Sequence, residues 1–226
     1  MSDHQPSAAG GEPARGRTDW LEWHRDYLDP ASSLSRRRRA VQAEIGRWLD
    51  SRPNETLRVL SVCAGDGRDV LDVLDARGDT DRVEVVLLET DPSLVQKARQ
   101  LARRSRLVKV DVRPLDAGST DAYRDAVPAD LVMMCGVFGN ISDEDVRATI
   151  GVLPQLCAKG AGVLWTRART TSGDPTSMIR GWFGAGGFEE VAFDAPRDVE
   201  YRLGTHRFVG QPVPLEPGRT FFRFRR

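Results

Sequence analysis

The sequence predicts an α/β fold: a doubly wound, seven-stranded and mostly parallel sheet with helices on both faces. Two observations carry this. From residue 57 onward, short apolar runs alternate with helix-length amphipathic segments, the pattern of a parallel sheet buried on both sides. The first apolar run ends in VLSVCAGDGRD, where two glycines spaced one apart break the strand and open a helix, a turn that lets a ligand approach the backbone. At 226 residues the chain is long enough for one such domain with a sizeable core.

The elements follow in order. Residues 1–17, rich in Gly, Pro, Ala and charge, read as a disordered tail. Residues 18–52 read as a helical N-terminal extension capping the strand ends. DWLEWHRDYLDP gathers Trp20, Trp23, His24 and Tyr27, and ASSLSRRRRAVQAEIGRWLDSR is an amphipathic helix with Leu34, Val41, Ile45, Trp48 and Leu49 on one face. Arg36 to Arg39 span little more than one turn, so they read as a solvated helix with one arginine turned inward.

The remaining domain, 53–226, starts with a strand at Leu57–Cys63 and a helix at Arg68–Arg77. Arg82–Glu89 is the second strand and Pro92–Arg104 its helix. Leu107–Val112 is the third strand, and Thr120–Ala126 reads as helical. Asp130–Cys135 precedes a helix at Asp143–Leu156, and Ala161–Thr166 precedes one at Pro175–Gly184. Phe188–Phe193 and Arg219–Phe224 are expected to close the sheet as an antiparallel pair across a Pro/Gly-rich stretch.

Composition narrows the function. Lys+Arg and Asp+Glu both total 33, so the balanced charge argues against nucleic-acid and anionic-membrane partners. The arginine-rich, lysine-poor usage suits a GC-rich bacterial genome. Cys63, Cys135 and Cys157 show no CxxC spacing, so neither a disulfide framework nor a structural zinc site is expected. A cytoplasmic location is expected, because the N-terminus has no apolar signal-like segment and no run reaches the roughly 18 residues of a membrane span.

In such sheets, ligands bind outside the carboxyl ends of the strands. Those ends carry Cys63-Ala64-Gly65-Asp66-Gly67, then Glu89, then Asp116-Ala117, then Cys135-Gly136-Val137-Phe138. A dinucleotide site wants a third glycine where Val70 stands, and Asp66 and Asp69 put negative charge where a pyrophosphate would rest. An adenosine ligand with a cationic centre and no phosphate avoids that repulsion, and a carboxylate at Glu89 suits a ribose diol. A nicotinamide oxidoreductase is therefore the less favoured reading.

On these residues the chain resembles a class I S-adenosylmethionine-dependent methyltransferase, from about Leu57 to the C-terminus, with the Rossmann-like sheet of that superfamily. The D-x-G-x-G-x-G loop appears with Ser61, Cys63, Gly65 and Gly67 at its four positions. The resemblance implies that Gly65 and Gly67 admit the methionine and ribose parts of the cofactor, with Cys63, Ala64 and Asp66 beside them. It implies that Glu89 holds the ribose hydroxyls and that Thr90 packs near the adenine. Asp116 would accept from the adenine amine, and Ala117 would offer its amide. Cys135, Gly136 and Val137 would face the methionine end, and Tyr27 the cofactor carboxylate. CGVFGNISDEDV, VLWTRART and IRGWFGAGGFEEV, with a leader of Trp23, Tyr27, Asp29, Pro30, Ser32 and Leu34, resemble a bacterial methyltransferase group.

Methyl transfer requires the acceptor to be aligned, water excluded and a proton removed where the acceptor is a hydroxyl or ammonium. His24 and His206 are the candidate bases, because an imidazole titrates near neutrality, with Tyr27 as a further catalytic candidate. Phe138, Asn140, Trp165 and Arg167 are the candidate acceptor contacts. CGVFGN stands where enzymes methylating nucleic-acid bases or protein glutamine carry [DNS]PP[YFW]. A small-molecule acceptor, such as a secondary metabolite, is therefore expected, without a metal, in a monomer or homodimer. A non-catalytic S-adenosylmethionine-binding module is the alternative.

Overall fold

A computed structural model describes residues 29–77, 80–105, 107, 109–169 and 173–225. The expected tail over 1–17, and the part of the extension with Trp20, Trp23, His24 and Tyr27, lie outside the described residues. The first described helix, α1 (Ser33–Asp50), is capped by the Ser32 hydroxyl, which accepts the Ser35 N–H. Its inward face carries Val41, Ile45, Trp48 and Leu49, each worth about 1.5–3 kcal/mol of burial.

The alternation that follows is β1 (Leu57–Val62), α2 (Arg68–Arg77), β2 (Val83–Leu88), α3 (Pro92–Arg104), β3 (Val110–Arg113) and β4 (Ala129–Met134). Then come α4 (Asp143–Leu156), β5 (Cys157–Ala168), α5 (Thr176–Ala185), β6 (Phe188–Asp194) and β7 (Tyr201–Phe208). Asp91 caps α3 ahead of a proline in its first turn, and Ser142 caps α4. The seven strands form one sheet in the order β3-β2-β1-β4-β5-β7-β6. Neighbours are parallel from β3 to β5, and β7 runs antiparallel to both β5 and β6. The order reverses between β1 and β4, which makes their carboxyl ends the switch point.

The sheet divides the core in two. Residues from α1, α2 and α3 fill one face, including Ile45, Leu71 and Ala98. On the other lie α4, α5 and the aromatic side chains Tyr123, Phe138, Trp165, Phe183 and Phe208. No described helix is long and apolar enough to cross a membrane.

One sheet partner differs from expectation. Phe188–Asp194 pairs with Tyr201–Phe208 and not with Arg219–Phe224. Gly204 weakens the strand signal of YRLGTHRF, yet it is required there: a Cβ at Gly204 would come within 2.2 Å of the Trp165 ring. Arg219–Phe224 instead forms a strap with an isolated bridge between Ser119 and Thr220. The segment Thr120–Ala126 forms only a short 3-10 turn over Thr120–Tyr123.

Candidate functional site

Three left-handed residues in five bend the chain after β1: Cys63 (φ 52°), Gly65 (φ 60°) and Gly67 (φ 75°). The two glycines do different work. A Cβ at Gly65 would meet nothing within 4 Å, whereas one at Gly67 would lie 2.6 Å from Leu87 Cδ1 and 3.1 Å from Leu71 Cδ1. Gly65 therefore faces open space at the strand ends, and Gly67 lets α2 pack closely on β2. This divides the role that the sequence assigned to both. Gly65→Val is expected to cost roughly 1–2 kcal/mol in left-handed strain and to lose ligand binding. Gly67→Val adds overpacking of roughly 1–3 kcal/mol, so a melting series should show the larger drop for Gly67→Val.

Glu89 follows β2 and turns back onto this loop. Its Oε2 accepts the Gly65 N–H at 2.8 Å, and its Oε1 accepts the Asp91 N–H at 2.9 Å. Burial pushes its carboxyl above the ordinary range, opposed by these backbone donors. After β3, exposed Asp116 accepts the Gly118 N–H at 2.8 Å, and the Ala117 carbonyl accepts the Tyr123 hydroxyl at 2.7 Å. Thr90 is exposed beside Glu89. Burial raises the Cys63 thiol, and Glu89 and Asp116 add to the shift. Cys63, Glu89 and Asp116 thus follow β1, β2 and β3 at the same edge of the sheet.

A second group lies at the end of β4. Gly136 (φ 87°) donates its N–H to Thr166 Oγ1 at 3.0 Å, and its carbonyl accepts from Asn140 Nδ2 at 2.7 Å. The Gly136 carbonyl is therefore already engaged by Asn140, and Val137 is wholly buried in the core. The Arg37 guanidinium stands over this turn, with Nη1 3.8 Å from where a Gly136 Cβ would be. Burial raises the Asp69 carboxyl, with Arg37, Arg38 and Arg68 opposing and Asp66 reinforcing. The Cys135 thiol is raised by burial and by Asp69, against Arg37. Arg37 is a candidate site residue that the sequence left unnumbered; its signal was a four-arginine run that could not all face water.

The Asp66 carboxylate is held by Arg68, with Oδ1 2.9 Å from Nε, and lines a groove of about 580 Å³ between α2 and α3 with Asp72, Lys97 and Arg104. Its charge is neutralised away from the strand ends, and Asp69 is flanked by arginines. These two aspartates therefore do not by themselves exclude a phosphate.

Several expected acceptor contacts are internal. Phe138 and Trp165 are fully buried, with ring centroids 5.9 Å apart, and Trp165 stacks on Phe183 at 5.9 Å. Arg167, also buried, donates to the Phe138 carbonyl and pairs with Asp143 at 3.1 Å, pinning the β4–α4 loop to β5. His206 pairs in register with Val163, four residues from the Arg167–Arg202 pair at the strand end, which is about 13 Å along the strand. Its ring stacks on Phe183 at 4.2 Å, and its Nδ1 accepts the Trp165 indole N–H at 3.1 Å. His206 is a core histidine, out of reach of the strand ends. Only Asn140 remains half-exposed there. His24 and Tyr27 lie outside the described residues.

No family model matches this chain, and no curated protein matches it in sequence. Solved structures do match. Magnesium protoporphyrin IX methyltransferase (ChlM) from Synechocystis PCC 6803, solved with bound SAH, aligns with a TM-score of 0.64 at 17% identity, covering 84% of this chain and 94% of that one. An O-methyltransferase family protein from Burkholderia thailandensis aligns at 0.57 and 15% identity, covering 84% and 68%. The CurJ carbon methyltransferase aligns at 0.64 and 13% identity, covering 84% of this chain and 58% of that one. The chain has the class I methyltransferase fold. Within this methyltransferase fold the Gly65 turn, Glu89, Asp116 and Gly136 follow successive strands β1 to β4 at one edge of the sheet, the first and last at the switch point.

Proposed function

We propose that this protein is an S-adenosylmethionine-dependent methyltransferase acting on a small-molecule acceptor. The observation that carries the reading is the split of charge across one switch point. The Glu89 carboxylate holds the Gly65 turn and Asp116 follows the neighbouring strand β3 on one side, and the Arg37 guanidinium stands over Gly136 on the other. That pattern suits a ligand with a diol and an amine at one end and a carboxylate at the other. The space open to a Gly65 Cβ fits a ligand lying against the backbone.

In this reading Glu89 accepts from the ribose hydroxyls, Asp116 from the adenine amine, and the Ala117 amide completes the adenine contact. Arg37 pairs with the amino-acid carboxylate. Bound S-adenosylmethionine supplies a methyl group on a sulfonium that already carries its leaving group. The chain's own task is to align the acceptor and to take its proton. With His206 in the core, that proton falls to His24 or Tyr27 of the leader, and Asn140 serves as an acceptor contact at the end of β4. Balanced charge and the CGVFGN sequence support a small acceptor.

Calorimetric titration with S-adenosylhomocysteine (SAH) and, separately, with NAD tests this. SAH is expected to bind with a dissociation constant on the order of 1–100 μM, about −8 to −5 kcal/mol, and NAD not at all. Binding of NAD alone would overturn the reading.

A further inference from the structure

The Asp116-Ala117-Gly118 turn is built by groups remote in sequence. Tyr123 lies fully buried behind it and donates its hydroxyl to the Ala117 carbonyl at 2.7 Å. The Tyr123 ring is in turn packed by Phe221, 5.8 Å centroid to centroid, from the C-terminal strap. The strap is stitched to the same turn: Phe221 N–H donates to the Gly118 carbonyl at 2.9 Å, Thr120 N–H to the Arg219 carbonyl at 2.8 Å, and Arg219 N–H to Thr120 Oγ1 at 3.0 Å. Gly118 is pressed between the two, since a Cβ there would fall 2.4 Å from the Phe222 carbonyl oxygen and 3.2 Å from Asp116 Oδ1. Asp116 itself is exposed, with one carboxylate oxygen taken by the Gly118 N–H.

We propose that Tyr123, braced by Phe221, is a positioning residue that fixes Asp116 and Ala117 for recognition of the six-position of a purine. It touches no ligand and acts through the Ala117 carbonyl. A turn this short is free to swing when its backbone is not anchored, and a carboxylate that must meet one exocyclic amine tolerates little displacement. The hydroxyl supplies the anchor, and the strap prevents the ring from moving away. Burial, with Cys63 and Asp116 nearby, raises the phenol, so it stays a protonated donor.

This inference rests on the methyltransferase reading, and the experiment separates the two. Affinities for SAH and for S-inosylhomocysteine, which carries a six-oxo group in place of the amine, are measured by calorimetry on the full chain, Tyr123→Phe, Phe221→Leu and Asp116→Asn, each with a melting curve. The full chain is expected to favour SAH at least tenfold, and Asp116→Asn to lose that preference. Tyr123→Phe is expected to weaken SAH about tenfold while leaving S-inosylhomocysteine within about threefold, and Phe221→Leu to shift the ratio the same way. A Tyr123→Phe protein that melts lower yet keeps both affinities has lost only a structural bond, and overturns the inference alone. If Tyr123→Phe does not fold, an unchanged ratio in Phe221→Leu overturns it. Failure of the full chain to bind SAH overturns both readings.

Discussion

Glu89→Ala is expected to weaken SAH binding by about 100-fold, the largest single effect on affinity. The fold turns the Glu89 carboxylate directly back onto the glycine loop, its two oxygens accepting from Gly65 and Asp91. A ribose diol meeting it would gain two hydrogen bonds to a charged acceptor, each worth about 1.5–3 kcal/mol. Their loss corresponds to about tenfold to 150-fold per bond, so two bonds at the weak end account for a loss of about 100-fold. The effect has a pH signature. Burial holds the Glu89 carboxyl above the ordinary range, so on acidification the wild-type protein should lose affinity earlier than an unperturbed carboxylate would dictate. Glu89→Ala should lack that dependence. Calorimetry across pH reads both, and an unchanged dissociation constant in Glu89→Ala would remove Glu89 from the site.

His206 gives the largest expected effect on stability. Burial lowers its pKa to about 4, opposed by Glu190, whose carboxylate lies 3.9 Å away, and reinforced by Arg180. Trp165 Nε1 can only donate, so Nδ1 must be the unprotonated acceptor. Protonating it would set two donors against each other between the Trp165 and Phe183 rings. A pKa lower in the folded than in the unfolded chain gives stability that is present above the unfolded value of about 6.5. It is lost as pH falls toward 4. The loss is on the order of 3 kcal/mol. His206→Asn keeps an acceptor for the indole but does not titrate in this range. Urea unfolding at pH 7 and pH 4.5 should show a markedly smaller drop for His206→Asn. Equal drops would show that His206 does not carry the acid sensitivity, leaving it to carboxylates such as Glu190 and Asp174.

The candidate site residues that the fold buries share a cause. His206, Trp165 and Phe138 are residue types that suit both chemistry and packing, and only their neighbours decide between the two. Gly204, which makes YRLGTHRF look unlike a strand, is what allows Trp165 to lie flat beneath β7. Arg219–Phe224 has the stronger strand composition, yet its phenylalanines complete the core behind Tyr123. Arg37 was hidden in a run of four identical side chains, and the helix phase that turns it toward Gly136 depends on how α1 packs.

By itself the sequence determined the alternating elements. Pro92–Arg104 and Asp143–Leu156 form as their caps and apolar spacing dictate, and Arg68–Arg77 as its apolar spacing does, because those signals act within a turn or two of chain. It also determined the order of motifs at the strand ends, since parallel crossovers must return each of them to one edge of the sheet. Only the tertiary structure decided which glycine faces open space and which packs a helix. It alone showed which histidine is core, which strand closes the sheet, and which remote residues hold the Asp116 turn. Each of those depends on atoms that meet across the fold from positions up to a hundred residues apart, where local periodicity carries no information.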